Sequence, residues 1–346
     1  MVSSSLMSLP VLDTGPVRPK YARGPRSLEH LKMLRISVTD RCNLRCVYCM
    51  PEEGMVFDDR GDHLSPHAIE EVVKVAIDLG VTHIKLTGGE PTIRKDLTDI
   101  VERIANLGVK DLSMTTNALQ LPRLAPSLRD AGLNRVTISL DSLHEDRYRT
   151  ITRGGSIKKL WQGVHAAEEY FSRLKFNVVV IRGMNEDEVE DFAALTIEHP
   201  WTMRFIEYMP LGDSAFTAEG AADPLVPATE SKDRIERSHG KLIPEDRLKE
   251  AGVGPAEVYS LPNAQGRVGF IHAMSQPFCE QCNRLRLTAR GELRSCLFDG
   301  GEIELAPALI PKPNPAAIHD AFAACILMKP EVHSQRGNRA MSQLGG

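Results

Sequence analysis

The chain has 346 residues and a formal net charge of −4, with 42% apolar and 25% charged residues. This composition is typical of a globular protein with ample core, and the weakly acidic balance excludes a general polyanion-binding surface, so we expect no nucleic-acid partner. No stretch reaches the ~20 apolar residues that cross a bilayer, and the first residues lack the pattern of an export signal. We therefore expect no membrane partner and a cytoplasmic location. The length allows one large α/β domain with a smaller region, or two ordinary domains.

The first 28 residues contain Ser, Pro, Gly and Arg without apolar periodicity, and we expect residues 1–28 to form a flexible arm. From Leu34 onward, short β-branched runs alternate with amphipathic stretches. The predicted strands are Leu34–Val38, His83–Leu86, Leu112–Thr115, Arg135–Leu140, Phe176–Ile181 and Met203–Ile206. The helices predicted between them are Ser65–Leu79, Lys95–Leu107, Pro122–Asp130, Ser156–Phe171 and Glu186–His199.

Six β–α alternations predict a parallel sheet with right-handed crossovers. A closed barrel of this kind has eight units, so six indicate an α/β fold with an incomplete (β/α)6 barrel of the TIM type over residues 29–210. Its functional site is expected at the carboxyl ends of the strands. The βα rhythm stops after about Met209, and residues 211–265 are expected to form a connecting or lid region. Residues 266–346 contain the last cysteines, a predicted helix near Ala316–Lys329 and a Gly-Gly end.

Six of the seven cysteines fall into two groups of three. The first group follows the first predicted strand with the spacing CxxxCxxC and consists of Cys42, Cys46 and Cys49. Two such groups fit metal chemistry in a reducing compartment better than a disulfide framework. Three thiolates are one short of the set that encloses an iron–sulfur cube or a structural zinc, so a cube held this way has one open iron. The spacing favours an iron–sulfur cluster, with zinc as the alternative.

The second group consists of Cys279, Cys282 and Cys296, with the spacing CxxC and then a more distant cysteine. Alone, this spacing fits zinc with a remote ligand as well as it fits an iron–sulfur cluster. Beside a first cluster, it favours a second iron–sulfur centre with its own open iron. Cys325 is flanked by apolar residues and is expected to be a buried small side chain, although it is also a candidate fourth ligand.

Two further motifs connect the first group with a known superfamily. An aromatic residue, Tyr48, precedes the last cysteine of CxxxCxxC, and the sequence Thr87-Gly-Gly-Glu-Pro91 follows the second predicted strand. Together these motifs resemble the radical S-adenosylmethionine (radical SAM) superfamily. The resemblance implies that S-adenosylmethionine chelates the open iron and that an electron from the cluster releases a 5′-deoxyadenosyl radical. Gly89, which has no Cβ, would let the backbone approach the methionine moiety closely.

From about Tyr21 to the C-terminus, the chain resembles the GTP 3′,8-cyclase family of molybdenum cofactor biosynthesis. The matching stretches are Leu34-Arg-Ile-Ser-Val-Thr-Asp-Arg-Cys-Asn-Leu-Arg-Cys46, Arg204-Phe-Ile-Glu-Tyr-Met-Pro210, Cys282-Asn-Arg-Leu-Arg-Leu-Thr288 and Met341-Ser-Gln-Leu-Gly-Gly346. The resemblance implies a lyase with two [4Fe-4S] clusters. In such an enzyme the radical abstracts H3′ of GTP, and the C3′ radical attacks C8 to give (8S)-3′,8-cyclo-7,8-dihydroguanosine 5′-triphosphate.

The resemblance also implies roles for single residues. The six cysteines of the two groups would hold the metal clusters, and the open iron of the second cluster would bind guanine. The residues implied as contacts of S-adenosylmethionine are Tyr48, Gly89, Ser139 and Met209. Those implied as GTP contacts are Arg35, Lys85, Thr116, Lys175, Arg284 and Arg286. The implied catalytic residues are Arg284, Arg286, Gly345 and Gly346, with the terminal glycines threading toward the active site.

Charge supports the GTP assignment independently. A nucleoside triphosphate has about four negative charges, so a pocket that excludes water needs several cations to bind it. Arg284 and Arg286 stand at i and i+2 of an extended segment, so they are expected to point the same way. Two positions depart from the family pattern: Lys85 replaces the usual Arg and lacks its planar fork, and Ala118 stands where Gly is common.

As partners, the resemblance implies GTP, a low-potential electron donor, and a cyclic pyranopterin monophosphate synthase that receives the product, and it allows a homodimer. A rival within the superfamily is a peptide maturase with an auxiliary cluster, which we would expect to have more C-terminal cysteines. A rival from another class is a zinc-stabilised binding protein without chemistry. Metal analysis separates this second rival from an iron–sulfur enzyme.

Overall fold

The computed structural model describes residues 26–54, 63–216, 222–246, 252–299, 302–334, 336–337 and 339–345. The predicted flexible arm, residues 1–28, has only its last residues within these ranges, and Gly346 lies outside them. Within the described ranges, no helix combines the length and the apolar character that crossing a membrane requires.

The described strands and helices follow the predicted alternation closely. The strands are β1 (Met33–Ser37), β2 (His83–Thr87), β3 (Asp111–Thr116), β4 (Arg135–Ser139), β5 (Lys175–Val180), β6 (Thr202–Glu207), β7 (Ile243–Pro244), β8 (Glu257–Ser260), β9 (Arg267–Ile271), β10 (Arg284–Leu287), β11 (Glu292–Arg294) and β12 (Glu302–Glu304). The helices are α1 (Pro66–Asp78), α2 (Leu97–Asn106), α3 (Leu121–Asp130), α4 (Glu145–Thr152), α5 (Ile157–Tyr170), α6 (Val189–Glu198), α7 (Ala228–His239), α8 (Ala306–Leu309), α9 (Pro315–Leu327) and α10 (Met341–Leu344). All predicted strands and helices are present, with ends shifted by no more than three residues.

Local sequence explains the limits of these elements and the faces they bury. Ser65 caps α1 by accepting a hydrogen bond from the backbone N–H of Ala68 at 3.1 Å, and proline follows it at the first helical position. In β1, Leu34 and Ile36 are fully buried in the core between the sheet and the helices. Arg35 lies between them in sequence and therefore faces the opposite side of the sheet, the inside of the barrel.

The strands form one sheet with the order β12-β11-β10-β1-β2-β3-β4-β5-β6-β9-β8-β7. From β10 to β9 every neighbouring pair is parallel, whereas the strands at both ends pair in antiparallel fashion. Within the described residues, the sheet does not close on itself. The prediction of an α/β fold with an incomplete barrel is therefore confirmed.

The prediction that the βα rhythm stops after Met209 is wrong. Helix α7 follows β6, and β9 then pairs with β6 in parallel, so one more β–α–β unit is present. Strand β10 extends the parallel sheet on the other side by pairing with β1. The sequence conceals this unit because α7 is strongly polar and buries only three residues, and because the β7–β8 pair is inserted before β9.

Candidate active site

A cavity of about 320 Å³ lies inside the curved sheet, and its lining contains the six cysteines of both predicted groups. The first group lies in the loop after β1. In the second group, Cys279 and Cys282 precede β10, and Cys296 follows β11. All six are free thiols. Two groups that are far apart in sequence therefore line the same space, because β1 and β10 are neighbours in the sheet.

The loop of the first cysteine group packs directly against the glycine-rich turn after β2. The backbone N–H of Gly89 donates to the carbonyl of Thr39 at 2.7 Å, and that of Glu90 donates to the carbonyl of Arg41 at 2.8 Å. A Cβ atom at Gly89 would overlap the carbonyl of Arg41. The structure thus gives Gly89 a packing role, because only glycine lets these two loops approach so closely.

The three thiols of the first group fit an iron–sulfur cluster by their chemistry. Burial raises the pKa of Cys42 to about 11 and that of Cys49 to about 12, and it also raises the pKa of Cys46. Neighbouring thiolates and carboxylates raise these values further, so the thiols need a bound metal to become thiolates. Among the described residues, no three side chains of the usual ligand types surround a single ion position. An iron–sulfur cluster binds each thiolate at a different iron, so its ligands need not surround one ion. Three free thiols that line one cavity therefore fit a cluster.

Tyr48 is hydrogen-bonded to Asp141, a carboxyl residue that the sequence did not point to. Its hydroxyl donates a hydrogen bond to Oδ2 of Asp141 at 2.8 Å, and Oδ1 of Asp141 accepts one from the backbone N–H of Val179 at 3.0 Å. Burial raises the pKa of Asp141 to about 6. Tyr48 and Asp141 both line the cavity, so this pair anchors the cysteine loop to the ends of β4 and β5. The sequence signal available was a carboxyl residue directly after a buried strand.

Glu90 links the loops after β2 and β3. Its carboxylate accepts hydrogen bonds from the hydroxyl of Thr116 at 2.7 Å and from the backbone N–H of Asn117 at 2.7 Å, as well as from Thr92. Burial raises the pKa of this carboxyl. Thr116, predicted to contact GTP, lines the cavity, but its hydroxyl donates to Glu90. Ala118, two residues further on, adopts the left-handed backbone that glycine favours, with φ of 66°.

Basic residues form a row across neighbouring strands inside the barrel. Arg286 of β10 is in register with Arg35 of β1, and Arg35 is in register with Lys85 of β2. In-register residues of parallel strands share a face of the sheet, and all three side chains line the cavity. Lys175 of β5 and Arg284 of β10 line it as well. The cations predicted to bind GTP are therefore brought together.

These cations repel one another. Burial lowers the pKa of Arg35, and the charges of Arg286, Arg284 and Arg204 lower it further. The pKa of Lys85 is lowered in the same way by burial and by its cationic neighbours, and the pKa of Arg286 falls to about 9. A polyanion in the cavity would relieve this repulsion, so the row has the electrostatics of a binding site for phosphates.

The C-terminal tail enters the same site. Gly345 is buried, and its carbonyl accepts a hydrogen bond from Nη1 of Arg286 at 2.9 Å. A Cβ atom at Gly345 would lie 2.9 Å from Cβ of Ser37 and would overlap the hydroxyl of Thr87. Earlier in the tail, the backbone of Ser342 donates a hydrogen bond to Cys49. The tail thus contacts both the first cysteine loop and the basic row, while Gly346 lies outside the described residues.

Cys282 of the second cysteine group lies in a more positive field than the thiols of the first group, whereas burial raises the pKa of Cys279. Burial alone would raise the pKa of Cys282, but Arg284 and Lys329 outweigh burial and hold that pKa down to about 6. The guanidinium of Arg284 also lies over the ring of Phe278, 5.1 Å from its centroid. Cys325 is fully buried in α9, as expected for a small apolar side chain.

The residues predicted to contact S-adenosylmethionine, Tyr48, Gly89, Ser139 and Met209, also line the cavity. Sequence reasoning missed Lys329, which lies just beyond the end of α9. A single lysine near a helix end looks like a solvated residue, so no signal in the sequence marked it.

Comparison with known families agrees with this geometry. Residues 36–196 match the Radical SAM superfamily, and residues 201–335 match the family described as Molybdenum Cofactor Synthesis C. Fold and site together define a radical SAM protein. The chain is 48% identical over 322 residues to a GTP 3′,8-cyclase of Pelotomaculum thermopropionicum, spanning 91% of this chain and 98% of that protein. It is 47% identical over 325 residues to that of Moorella thermoacetica, with the same coverage. The chain belongs to the GTP 3′,8-cyclase family.

Solved structures support the fold. The chain resembles Streptococcus suis SuiB bound to S-adenosylmethionine with a TM-score of 0.59 and 13% identity, covering 88% of this chain and 73% of that one. It resembles anSMEcpe with bound AdoMet with a TM-score of 0.50 and 14% identity, covering 77% and 71%. At this identity the likeness concerns the fold alone, and both resemblances predicted from the motifs are confirmed by the family matches.

Proposed function

We propose that this chain converts GTP into (8S)-3′,8-cyclo-7,8-dihydroguanosine 5′-triphosphate in molybdenum cofactor biosynthesis. The observation that carries this proposal is one cavity lined by two cysteine groups and by a row of buried cations. The first group suits radical generation, and the cations suit a nucleoside triphosphate. Identity of 48% over nearly the whole length of a GTP 3′,8-cyclase supports this substrate over the peptide of a maturase.

The cofactors are two [4Fe-4S] clusters and S-adenosylmethionine. The residues we propose as ligands of the first cluster are Cys42, Cys46 and Cys49, and those of the second are Cys279, Cys282 and Cys296. When bound, the first cluster supplies the electron that cleaves S-adenosylmethionine to the 5′-deoxyadenosyl radical, which abstracts H3′ of GTP. The chain itself positions both small molecules and keeps water away from them.

The binding of S-adenosylmethionine is proposed to involve residues around the first cysteine loop. Ser139 and Met209 lie at or just after the ends of β4 and β6, and both line the cavity. Gly89 brings backbone close to the cysteine loop, and the Tyr48–Asp141 bond fixes the loop's aromatic residue. Apolar side chains complete this part of the wall and limit the access of water; they include Leu44, Val179 and Ile206.

GTP binding is proposed to rest on the basic row. The cavity-lining cations Arg35, Lys85, Lys175, Arg284 and Arg286 offset the about four charges of a triphosphate. Thr116 is proposed to contribute through its position beside Glu90 rather than through a free hydroxyl proton. Arg284, Arg286, Gly345 and Gly346 are proposed to act at the reacting nucleotide, because Arg286 joins the tail to this row.

The reaction also implies partners beyond the chain. We propose a low-potential electron donor, and a cyclic pyranopterin monophosphate synthase that receives the product. A cytoplasmic location and a homodimer complete the proposal. We further propose that residues 29–210 form the radical SAM part of the barrel and that residues 211–265, which include α7, connect it to the auxiliary-cluster region of residues 266–346. Strands β9 and β10 of that last region extend the same sheet.

An anaerobic turnover assay tests the proposed function. Reconstituted protein with GTP, S-adenosylmethionine and a low-potential reductant is expected to form 5′-deoxyadenosine and the cyclised nucleotide together. Formation of 5′-deoxyadenosine with GTP left intact would overturn the assignment. Cys46→Ala is the matched control and is expected to abolish both products. Metal analysis is expected to give iron and sulfide at about eight per chain, which the zinc-stabilised alternative would not show.

A further inference from the structure

Lys329 is a buried lysine beside the second cysteine group. Only 3% of its surface is exposed. Its Nζ lies 3.2 Å from Sγ of Cys282, 2.6 Å from the carbonyl of Arg284 and 3.2 Å from the carbonyl of Ser295. A lysine ammonium has three N–H donors, so these three acceptors use its full capacity. These contacts therefore fix the position of the Lys329 side chain.

Charge identifies which of these contacts matters most. A buried ammonium is costly unless a negative group balances it. Two of the three acceptors are neutral carbonyls, so the sulfur of Cys282 is the acceptor among them that can provide a balancing charge. A thiolate bound to iron provides that charge permanently, whereas a neutral thiol does not.

Position distinguishes Lys329 from the cations of the basic row. Arg284 and Arg286 line the cavity, whereas Lys329 does not belong to its described lining. Lys329 therefore reaches the sulfur of Cys282 from outside the cavity and is not placed to bind GTP. Through the carbonyls of Arg284 and Ser295, it also joins the start of β10 to the residue before Cys296. One side chain thus ties together the segments that carry two of the three cysteines.

We propose that Lys329 is a positioning residue for the second iron–sulfur cluster and that its charge raises the reduction potential of that cluster. The proposal rests on the proposed function in one respect, that the second cysteine group holds such a cluster. Reduction adds one negative charge to the cluster, and a fixed cation hydrogen-bonded to a ligand sulfur stabilises that charge. Hydrogen bonds to sulfur and nearby net charge are among the factors that set cluster potentials.

The test measures the second cluster alone in the full-length chain. Replacing Cys42, Cys46 and Cys49 by Ala leaves the second group as the proposed cluster site, and Lys329→Met or Lys329→Arg is then added. The midpoint potential is measured by redox titration with electron paramagnetic resonance, without GTP. Lys329→Met is expected to lower the midpoint and to release cluster iron to a chelator about tenfold faster. Lys329→Arg keeps the charge and is expected to stay close to the parent midpoint, as is Lys312→Met, which changes an exposed lysine near α9.

An unchanged midpoint in Lys329→Met with full cluster content overturns the proposal. Equal loss of the cluster in the Met and Arg variants also overturns it, because charge would then not be the relevant property. If Lys329→Met does not fold, Lys329→Gln takes its place, since it keeps a hydrogen-bond donor and removes the charge. Failure of the proposed function is separate: zinc instead of iron in the parent protein, or no turnover of GTP by the unmodified chain, would reveal it.

Discussion

Arg286 and Gly345 are joined by a hydrogen bond of 2.9 Å between a guanidinium N–H and a backbone carbonyl. Arg286 belongs to the basic row of the cavity, and Gly345 is the last described residue of the chain. Three residues earlier, the backbone of Ser342 contacts Cys49 of the other cysteine group. The tail therefore spans from the first cysteine loop to the arginines beside the second group. Its position connects the proposed radical source with the proposed substrate site.

Gly345→Ala is expected to reduce cyclisation at least about tenfold. Gly345 has φ of 67°, which costs a residue with a Cβ about 1–2 kcal/mol, and that Cβ would also collide with Ser37 and Thr87. The tail would have to move away from Arg286. The measurement is the rate of cyclised product together with iron content. Gly183→Ala is the matched control, since Gly183 has φ of 77° and no neighbour within 4 Å of an added Cβ. Equal effects of the two substitutions would show that packing of the tail is irrelevant.

Gly212→Ala is expected to loosen the tail at a contact outside the cavity lining. Gly212 donates its backbone N–H to the carbonyl of Gly337 at 3.1 Å, and an added Cβ would lie 2.5 Å from the backbone nitrogen of Ala340. Hydrogen exchange in the tail is expected to become faster, and cyclisation is expected to fall while both clusters are retained. Unchanged exchange in residues 339–345 would contradict this role of Gly212. Gly183→Ala again controls for backbone strain alone.

Lys85→Met is expected to have opposite effects on stability and on GTP binding. Burial and neighbouring cations lower the pKa of Lys85, so in the free protein its charge is unfavourable. Removing it is expected to raise the melting temperature without GTP. The same change removes a phosphate-binding charge and is expected to raise KM for GTP about tenfold, a loss of about 1.4 kcal/mol. Lys95→Met, at an exposed lysine, should change neither quantity. A lower melting temperature with unchanged KM would contradict the role of the basic row.

Asp141 is expected to make stability depend on pH. Its folded-state pKa is about 6, above the ordinary value of 3.8, because burial disfavours the charged form. Between these two values the folded chain keeps a proton that the unfolded chain has released. The stabilisation from this group is therefore fully present below about pH 3.8 and is lost as pH rises through about 6. At 1.36 kcal/mol per pKa unit, the loss is about 3 kcal/mol.

Asp141→Asn removes this titration. The melting temperature of the variant relative to the wild type is expected to rise between about pH 4 and about pH 7, as the wild type loses this stabilisation, and to level off above that. The comparison uses protein samples with equal iron content. A difference that stays constant across this range would contradict the raised pKa of Asp141. Asp299→Asn serves as the control for a carboxylate outside the cavity lining.

The sequence predicted most of the barrel because a period of two in β-branched runs and a helical period between them are both local signals. The cysteines were equally visible, since spacing alone identifies their two groups. Helix α7 and β9 were missed because polarity and an inserted strand pair hide their packing. Asp141 and Lys329 were missed for a different reason. Their importance depends on burial beside Tyr48 and Cys282, from which they are 93 and 47 residues distant in sequence.

Abstraction of H3′ from GTP can be followed with a single isotopic label. GTP carrying deuterium at C3′ is supplied to the reconstituted protein with unlabelled S-adenosylmethionine and a low-potential reductant. If the radical abstracts H3′, the 5′-deoxyadenosine formed contains one deuterium, and its amount matches that of the cyclised nucleotide. Unlabelled 5′-deoxyadenosine from this substrate, with label retained at C3′ of the nucleotide, would contradict it.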